Sequence, residues 1–456
     1  MDDLVIITGR ARAAGQTWAA TPLPARLAVI SRLRQLIAAD AASLAATVRR
    51  NPADTLVAEV LPLAEAARFL LRRAPAVLAP RRPRGGRPWW LLGVRAHVLR
   101  EPHGTVLILA PGNYPLFLPG AQALQALAAG NSVCVKPAPG AAAPMQALAG
   151  LLARAGLPNG AFQVLDPACG EAAVRAGFDH IVLTGSAATG ARVLEAAGMT
   201  PLTMELSGVD AVFVLPGAEL GLVAAALAYG LRLNGGATCI APRRVFVPAG
   251  DAPALEAALV SRLPQIPDAE VPPATAGHLA GLVGAAVAGG ARVAAGGPGR
   301  PLVLANARAE MALLQQDVFA PWLALVPVAD MEAALEAAAQ CPYALGASVF
   351  GPAPAARALA ARIPAGSVCI NDVVVPTADP RLPFGGRGQS GYGTTRGEEG
   401  LLSMTVAKAV SERRGRFRPH LAPADPADAR RFAGMVGVLH GTWRTRWRAL
   451  WSLAKR

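Results

Sequence analysis

From Thr105 onward, short apolar runs alternate with helical patterning, and no other feature of the chain restricts its fold as much. The runs 105–109, 133–135, 162–165 and 180–183 are separated by helical stretches that include 121–129 and 145–155. A second series places runs at 211–214, 244–247 and 368–370, with helical stretches at 222–233 and 255–263. Continuous apolar runs of this length suit strands buried on both faces, and the helices between them supply the crossovers that parallel strands need. Two Rossmann-like α/β domains are expected. The first eighty or so residues are helical instead, with Leu27, Ile30, Leu33, Leu36 and Ile37 at three- and four-residue spacing. Residues 81–87, rich in Pro, Gly and Arg, break that pattern, and the extended stretch 89–99 predicts a protruding β-hairpin over about 86–102.

At 456 residues the chain exceeds one ordinary core and has room for a deep site between domains. Apolar residues make up 53%, yet Gly, Pro or charge interrupts every window long enough to span a bilayer. The Met1-Asp2-Asp3 start lacks the basic and apolar regions of a signal peptide, which predicts a cytoplasmic protein. The five cysteines are scattered, form no CxxC pair and have no His at ligand spacing, so neither disulfides nor a metal site is suggested. The formal charge of +14 raises nucleic acid as a partner, but arginine carries nearly all of it and no RNP or zinc-finger spacing accompanies it. No nucleic-acid partner is expected. The tail has a Pro/Ala-rich linker at 419–426 and then Trp443, Trp447 and Trp451 among Arg444, Arg446 and Arg448. A short basic amphipathic helix is predicted, suited to docking on protein or to peripheral contact with a membrane.

Cys239 ends the segment Asn234-Gly235-Gly236-Ala237-Thr238-Cys239, where small residues let a carbonyl approach the sulfur and free backbone N–H groups to meet it. A thiol is the strongest side-chain nucleophile toward a carbonyl once something takes its proton. Met204-Glu205-Leu206-Ser207-Gly208 sets one carboxylate among apolar and small residues, where desolvation raises its pKa toward that of a working base. Ala110-Pro111-Gly112-Asn113-Tyr114-Pro115 ends a buried strand in a rigid turn that fixes the Asn113 amide, a neutral donor suited to an oxyanion. Two further segments resemble cofactor sites. Thr184-Gly185-Ser186-Ala187-Ala188-Thr189-Gly190 follows a strand and opens a helix, the arrangement that meets a pyrophosphate, and Lys136 follows the strand at 133–135.

Together and in this order the segments resemble the aldehyde dehydrogenase superfamily, over roughly residues 101–408. The resemblance rests on PGNYP around Asn113, GNSVCVKPAP around Lys136, LTGSAATG, MELSG, the Cys239 loop, Asp317-Val318-Phe319-Ala320-Pro321, and Pro383-Phe384-Gly385-Gly386 with Ser390-Gly391-Tyr392-Gly393. It implies that Cys239 attacks an aldehyde, Asn113 and the Cys239 N–H hold the oxyanion, and Glu205 activates the water that releases a carboxylic acid. It also implies NAD or NADP as cofactor, with Lys136, Gly185, Ser186, Gly190, Asp317 and Phe319 in contact with it, and a homodimer made through the hairpin. The implied domains are 1–205, N-terminal helices and cofactor-binding domain; 206–396, catalytic domain; and 397–456, a bridging strand, linker and basic helix.

The chain departs from the family pattern at Gly112 (usually Trp), Ala237 (usually Gln), Ser207 (usually Gly) and Asp317 (usually Glu). Pro139 replaces a carboxylate that often binds the adenosine ribose in NAD-preferring members, which removes a source of repulsion against a 2′-phosphate. A CoA-acylating relative and an inactive scaffold are the alternatives; Glu205 favours hydrolysis over the first, and Cys239 with Glu205 favours an enzyme over the second.

Overall fold

The structure, a computed structural model, describes residues 2–91, 93–297, 299–416, 418–421, 423 and 425–454. In chain order the strands are β1 (Val94–Pro102), β2 (Thr105–Leu109), β3 (Ser132–Lys136), β4 (Phe162–Val164), β5 (His180–Gly185), β6 (Leu202–Leu206), β7 (Asp210–Val214), β8 (Pro242–Pro248), β9 (Arg292–Gly297), β10 (Arg300–Ala305), β11 (Trp322–Val328), β12 (Tyr343–Ala344), β13 (Gly346–Phe350), β14 (Ser367–Ile370), β15 (Arg387–Gly388), β16 (Gly391–Tyr392) and β17 (Thr405–Arg413). One sheet has the order β16-β6-β5-β2-β3-β4 and a second the order β14-β13-β7-β8-β11-β10-β9. Each is parallel except at one edge, β16 in the first and β9 in the second. The chain divides into two compact units, Met1–Arg81 with Leu99–Lys408, and Arg82–Val98 with Ala409–Arg456. Both large sheets lie in the first.

The two-residue period of a strand accounts for the layering. Val106 and Ile108 of β2 enter a core shared with the N-terminal helices, while Leu107 and Leu109 face the opposite layer with Leu183 and Val193. In the second sheet Phe213 and Phe246 face one layer, and Val212, Val214, Val245 and Val247 the other. Every residue of the helix Phe117–Ala129 is buried, which explains why its sequence is apolar all round. Its first turn is satisfied from elsewhere: the buried Glu59 carboxylate, on the π-helical turn Leu56–Val60, accepts from Leu116 N at 2.8 Å and Phe117 N at 3.0 Å.

The arm differs from the hairpin expected over 86–102. β1 has no local partner strand among the described residues and pairs instead with β17 in a two-stranded ribbon. The mate comes instead from the far end of the chain. In the second unit the tail forms two helices, Pro426–His440 and Trp443–Ala454, packed on each other. Gly434 and Gly437 make room for Leu453 and Ala449, while Trp443 and Trp447 lie 69% and 65% exposed. No helix among the described residues is long and apolar enough to cross a membrane.

Candidate active site

The carboxyl ends of β2, β5 and β6 deliver the loops that build the site, as expected for open α/β sheets. After β2, Pro111, Gly112 and Asn113 line a cleft of about 760 Å³. Glu205, Ser207, Ala237, Cys239, Asp317 and Phe319 line the same cleft. A second, smaller cavity of about 100 Å³ also reaches Cys239 and Glu205, and its other walls include Tyr114, Phe117, Tyr229, Ile240, Phe384 and Arg396. The thiol and the carboxylate therefore stand where a wide cleft meets a small, more apolar cavity.

The Cys239 loop is held in shape by backbone conformation and by one buried cation. Asn234, Gly235 and Gly236 all have positive φ (52°, 58° and 74°), and a Cβ on Gly236 would lie 2.5 Å from Ala320 O. The buried Arg243 guanidinium donates to Ala320 O at 2.6 Å, to Trp322 O at 3.0 Å and to Gly236 O, so it clamps the loop to the segment that carries Asp317 and Phe319. Asn113 Nδ2 donates to Ala237 O at 3.1 Å, and the Tyr114 hydroxyl lies 2.8 Å from Thr238 Oγ1. The amide carbonyl of Asn113 accepts from Tyr114 N at 3.0 Å, which leaves the second amide hydrogen for a ligand.

Glu205 lies on β6 and is 2% exposed. Its Oε2 accepts from Thr395 Oγ1 at 2.9 Å, while Oε1 is buried without a partner. Burial raises its pKa, and the Arg396 guanidinium and Thr395 hydroxyl pull it back. Burial also raises the Cys239 thiol well above its ordinary range, helped by Glu205, Asp210 and Asp317 and opposed by Arg396. The thiol rests protonated and needs a base. The edge strand β16 fixes Glu205 by pairing Gly391 opposite it; Gly391 has φ 95°, and a Cβ there would lie 2.1 Å from Met204 O.

The expected cofactor residues fall into two groups. Lys136 lines a separate cleft of about 380 Å³ with Thr184, Gly185 and Arg192. Ser186, Asp317 and Phe319 line the larger one, and Gly185 lines both. Ser186 caps the helix Ala187–Ala197 by accepting from Thr189 N at 3.2 Å, which sets the helix N-terminus beside Gly185. Gly190 lines neither cleft. A Cβ on it would meet Leu206 Cδ1 at 2.7 Å, so it lets the helix pack against β6. Asp317 is pushed up to about 6 by burial against a hydrogen bond from Ser207 and the Arg243 charge, and its Oδ1 is buried without a partner. Two departures from the family pattern, Ser207 and Asp317, thus meet each other.

Sequence reasoning missed Arg243, Thr395, Arg396 and the Arg50–Glu59 pair. Arg50 donates to Asn113 O, lies 4.9 Å over the Tyr114 ring and stands 3.3 Å from Glu59 Oε1. The one local signal was charge inside an otherwise apolar run, Arg243-Arg244 ahead of Val245; Arg396, among Thr, Gly and Glu, carries no such signal.

The family model described as the aldehyde dehydrogenase family matches residues 2–410. Among curated proteins, 4,4'-diapolycopene aldehyde oxidase of a Methylomonas species is 28% identical, over 95% of this chain and 86% of its own length. Among solved structures, NADP-dependent glyceraldehyde-3-phosphate dehydrogenase from Bacillus halodurans C-125, complexed with NADP, is 27% identical with a TM-score of 0.84, covering 90% of this chain and 91% of that one. An aldehyde dehydrogenase of Mycobacterium tuberculosis complexed with NAD+ is 26% identical with a TM-score of 0.82, covering 88% of each chain.

Proposed function

Because the chain belongs to the aldehyde dehydrogenase family, an enzyme family of aldehyde oxidation, we propose that it converts an aldehyde to a carboxylic acid through a covalent adduct on Cys239. The observation that carries this reading is the convergence of Cys239, Glu205 and Asn113 on one cleft wall, with one Glu205 oxygen unpartnered. Glu205 takes the proton of Cys239, and the thiolate adds to the aldehyde carbon. The Asn113 amide and the Cys239 backbone N–H stabilise the oxyanion. Bound NAD or NADP supplies the hydride acceptor. Glu205 gives the first proton up to solvent and, ionised again, removes one from water, which attacks the thioester on Cys239; the C–S bond breaks, the acid leaves and the sulfur takes its proton back from Glu205.

The residues present fit that cofactor. The capped N-terminus of Ala187–Ala197 beside Gly185 suits a pyrophosphate, and the orphaned Asp317 Oδ1 is an acceptor in want of a donor such as a ribose hydroxyl. Lys136 and Arg192 line the outer cleft, so a 2′-phosphate meets cations there.

The test is absorbance at 340 nm with NAD or NADP and short, long and aromatic aldehydes, for the wild type, Cys239→Ala and Glu205→Gln. Reduced cofactor is expected from the wild type alone at steady state, and Glu205→Gln should lose the single-turnover burst as well, because Glu205 is also the base for Cys239. Turnover that requires added CoA points to acyl transfer to CoA. No turnover by folded protein under either condition sinks the enzymatic reading.

The tail supports a second reading. With Trp443 and Trp447 exposed beside Arg444, Arg446 and Arg448, the hairpin of helices suits the interface of an anionic bilayer. Flotation of wild type and a Trp443→Ser, Trp447→Ser variant with vesicles containing phosphatidylglycerol tests it; equal flotation of the two rejects it. A homodimer joined through the edges of the β1–β17 ribbon is the third element, tested by sedimentation velocity.

A further inference from the structure

Arg396 has no assigned part in the chemistry above, yet it is 6% exposed and lines the narrow cavity with Cys239 and Glu205. Its placement is over-determined. Thr395, the residue before it, exchanges backbone hydrogen bonds with Phe384 at 2.7 and 2.8 Å and hydrogen-bonds Glu205 through its hydroxyl. Arg396 itself takes φ 59°, its backbone N–H bonds Gln125 Oε1 at 3.3 Å, and its guanidinium lies 4.2 Å over the Phe384 ring and donates to Thr377 O. Its Nε is buried without a partner.

A buried cation is costly unless a negative charge answers it. The other carboxylates near Cys239 have their own cations: Asp317 is answered by Arg243, and Asp210 by Arg244 and Arg243. Arg396 lines its cavity with Glu205 and Cys239, and its charge holds both below where burial alone would put them. The cavity thus sets one fixed positive charge beside the Cys239 thiol and the Glu205 carboxyl, and a second negative charge on that pair has no answering cation in the lining.

We propose that Arg396 is a positioning residue that supplies the fixed positive charge needed for one negative charge to pass between Glu205 and Cys239. When the Cys239 S–H bond breaks and an O–H bond forms on Glu205, the proton changes hands and the net charge of the cavity stays the same. Without Arg396 the same transfer leaves a thiolate unanswered in an apolar wall. The inference rests on Cys239 as nucleophile and Glu205 as base.

The test reads the thiol directly, without turnover. Iodoacetamide alkylation of Cys239 is followed across pH by mass spectrometry of its peptide, for wild type, Arg396→Gln and Arg396→Lys. Arg396→Gln is expected to slow alkylation near neutral pH by about tenfold or more, the effect of raising a thiol pKa by about one unit, while Arg396→Lys stays near wild type. An unchanged profile in Arg396→Gln overturns the proposal, and if that variant also loses turnover only of carboxylate-bearing aldehydes, Arg396 is a substrate anchor. Slowing in Arg396→Lys equal to that in Arg396→Gln overturns it too, because geometry and not charge is then at work. If Arg396→Gln does not fold, Arg396→Lys alone decides, a tenfold slower profile refuting and a retained one supporting. A wild type that oxidises no aldehyde but whose alkylation follows this pattern refutes the proposed reaction and leaves the charge assignment standing.

Discussion

Replacing Glu59 by Ala should loosen the helix Phe117–Ala129 and, through it, the Asn113 turn. The carboxylate is fully buried, accepts from Leu116 N and Phe117 N, and faces an Arg50 side chain that is 10% exposed. Each bond to a charged acceptor contributes about 1.5–3 kcal/mol, and breaking a buried ion pair by removing one partner costs about 3–5 kcal/mol. These figures describe overlapping losses, so the whole effect is about 3–5 kcal/mol. Native-state hydrogen exchange reads it as a fall in protection of that helix by about two to three and a half powers of ten, at about 1.4 kcal/mol per decade. The control is Arg50→Met with Glu59→Met, which removes both charges and should cost less than Glu59→Ala, because no cation is stranded. A single variant that loses less than about tenfold in protection, or a double variant worse than the single, refutes the reasoning.

Three further outcomes are expected. Arg243→Gln removes the clamp on the Cys239 loop, so kcat should fall about a hundredfold or more, as misplacement by about 1 Å does, with circular dichroism unchanged. Burial, with a smaller contribution from His103, holds His180 down to about 3; the two rings are stacked at 4.6 Å. Below about pH 6.5 the unfolded chain binds the proton that the folded chain refuses, so stability falls as pH drops from there toward the folded value, with a slope near 1.4 kcal/mol per pH unit. Urea midpoints of His180→Phe should be correspondingly less acid-sensitive; an identical pH dependence counts against this assignment. Lys136→Ala should weaken NADP about ten- to a hundredfold by calorimetry, the scale of one charge-assisted hydrogen bond, and a loss under twofold argues against a phosphate contact.

The first sheet was legible at β2 to β5, which are short apolar runs: β2 matches the sequence expectation at both ends, β3 and β5 extend it by one or two residues and β4 stops one short, while β6 and β16 were not among the expected runs. The second was legible only at β7, β8 and β14. β9, β10, β11 and β13 were not anticipated, since a chain so rich in Ala and Gly blurs the contrast between strand and helix patterning there. The candidate nucleophile, base and amide were proposed from local segments: Asn113 after β2, Glu205 near the end of β6, and Cys239 in a turn that follows a helix. Their partners were not. Glu59, Arg243, Thr395 and Arg396 act across long chain separations, and local sequence does not state which buried charge answers which. The same limit applies to β1, whose mate β17 lies some three hundred residues on.

The bonds from Asn113 and Tyr114 to Ala237 and Thr238 join the loop after one sheet directly to the loop that precedes the central strand of the other. Any movement that parts the two sheets must break these bonds, so the spacing of Cys239 and Asn113 depends on how the sheets pack and not on either loop alone.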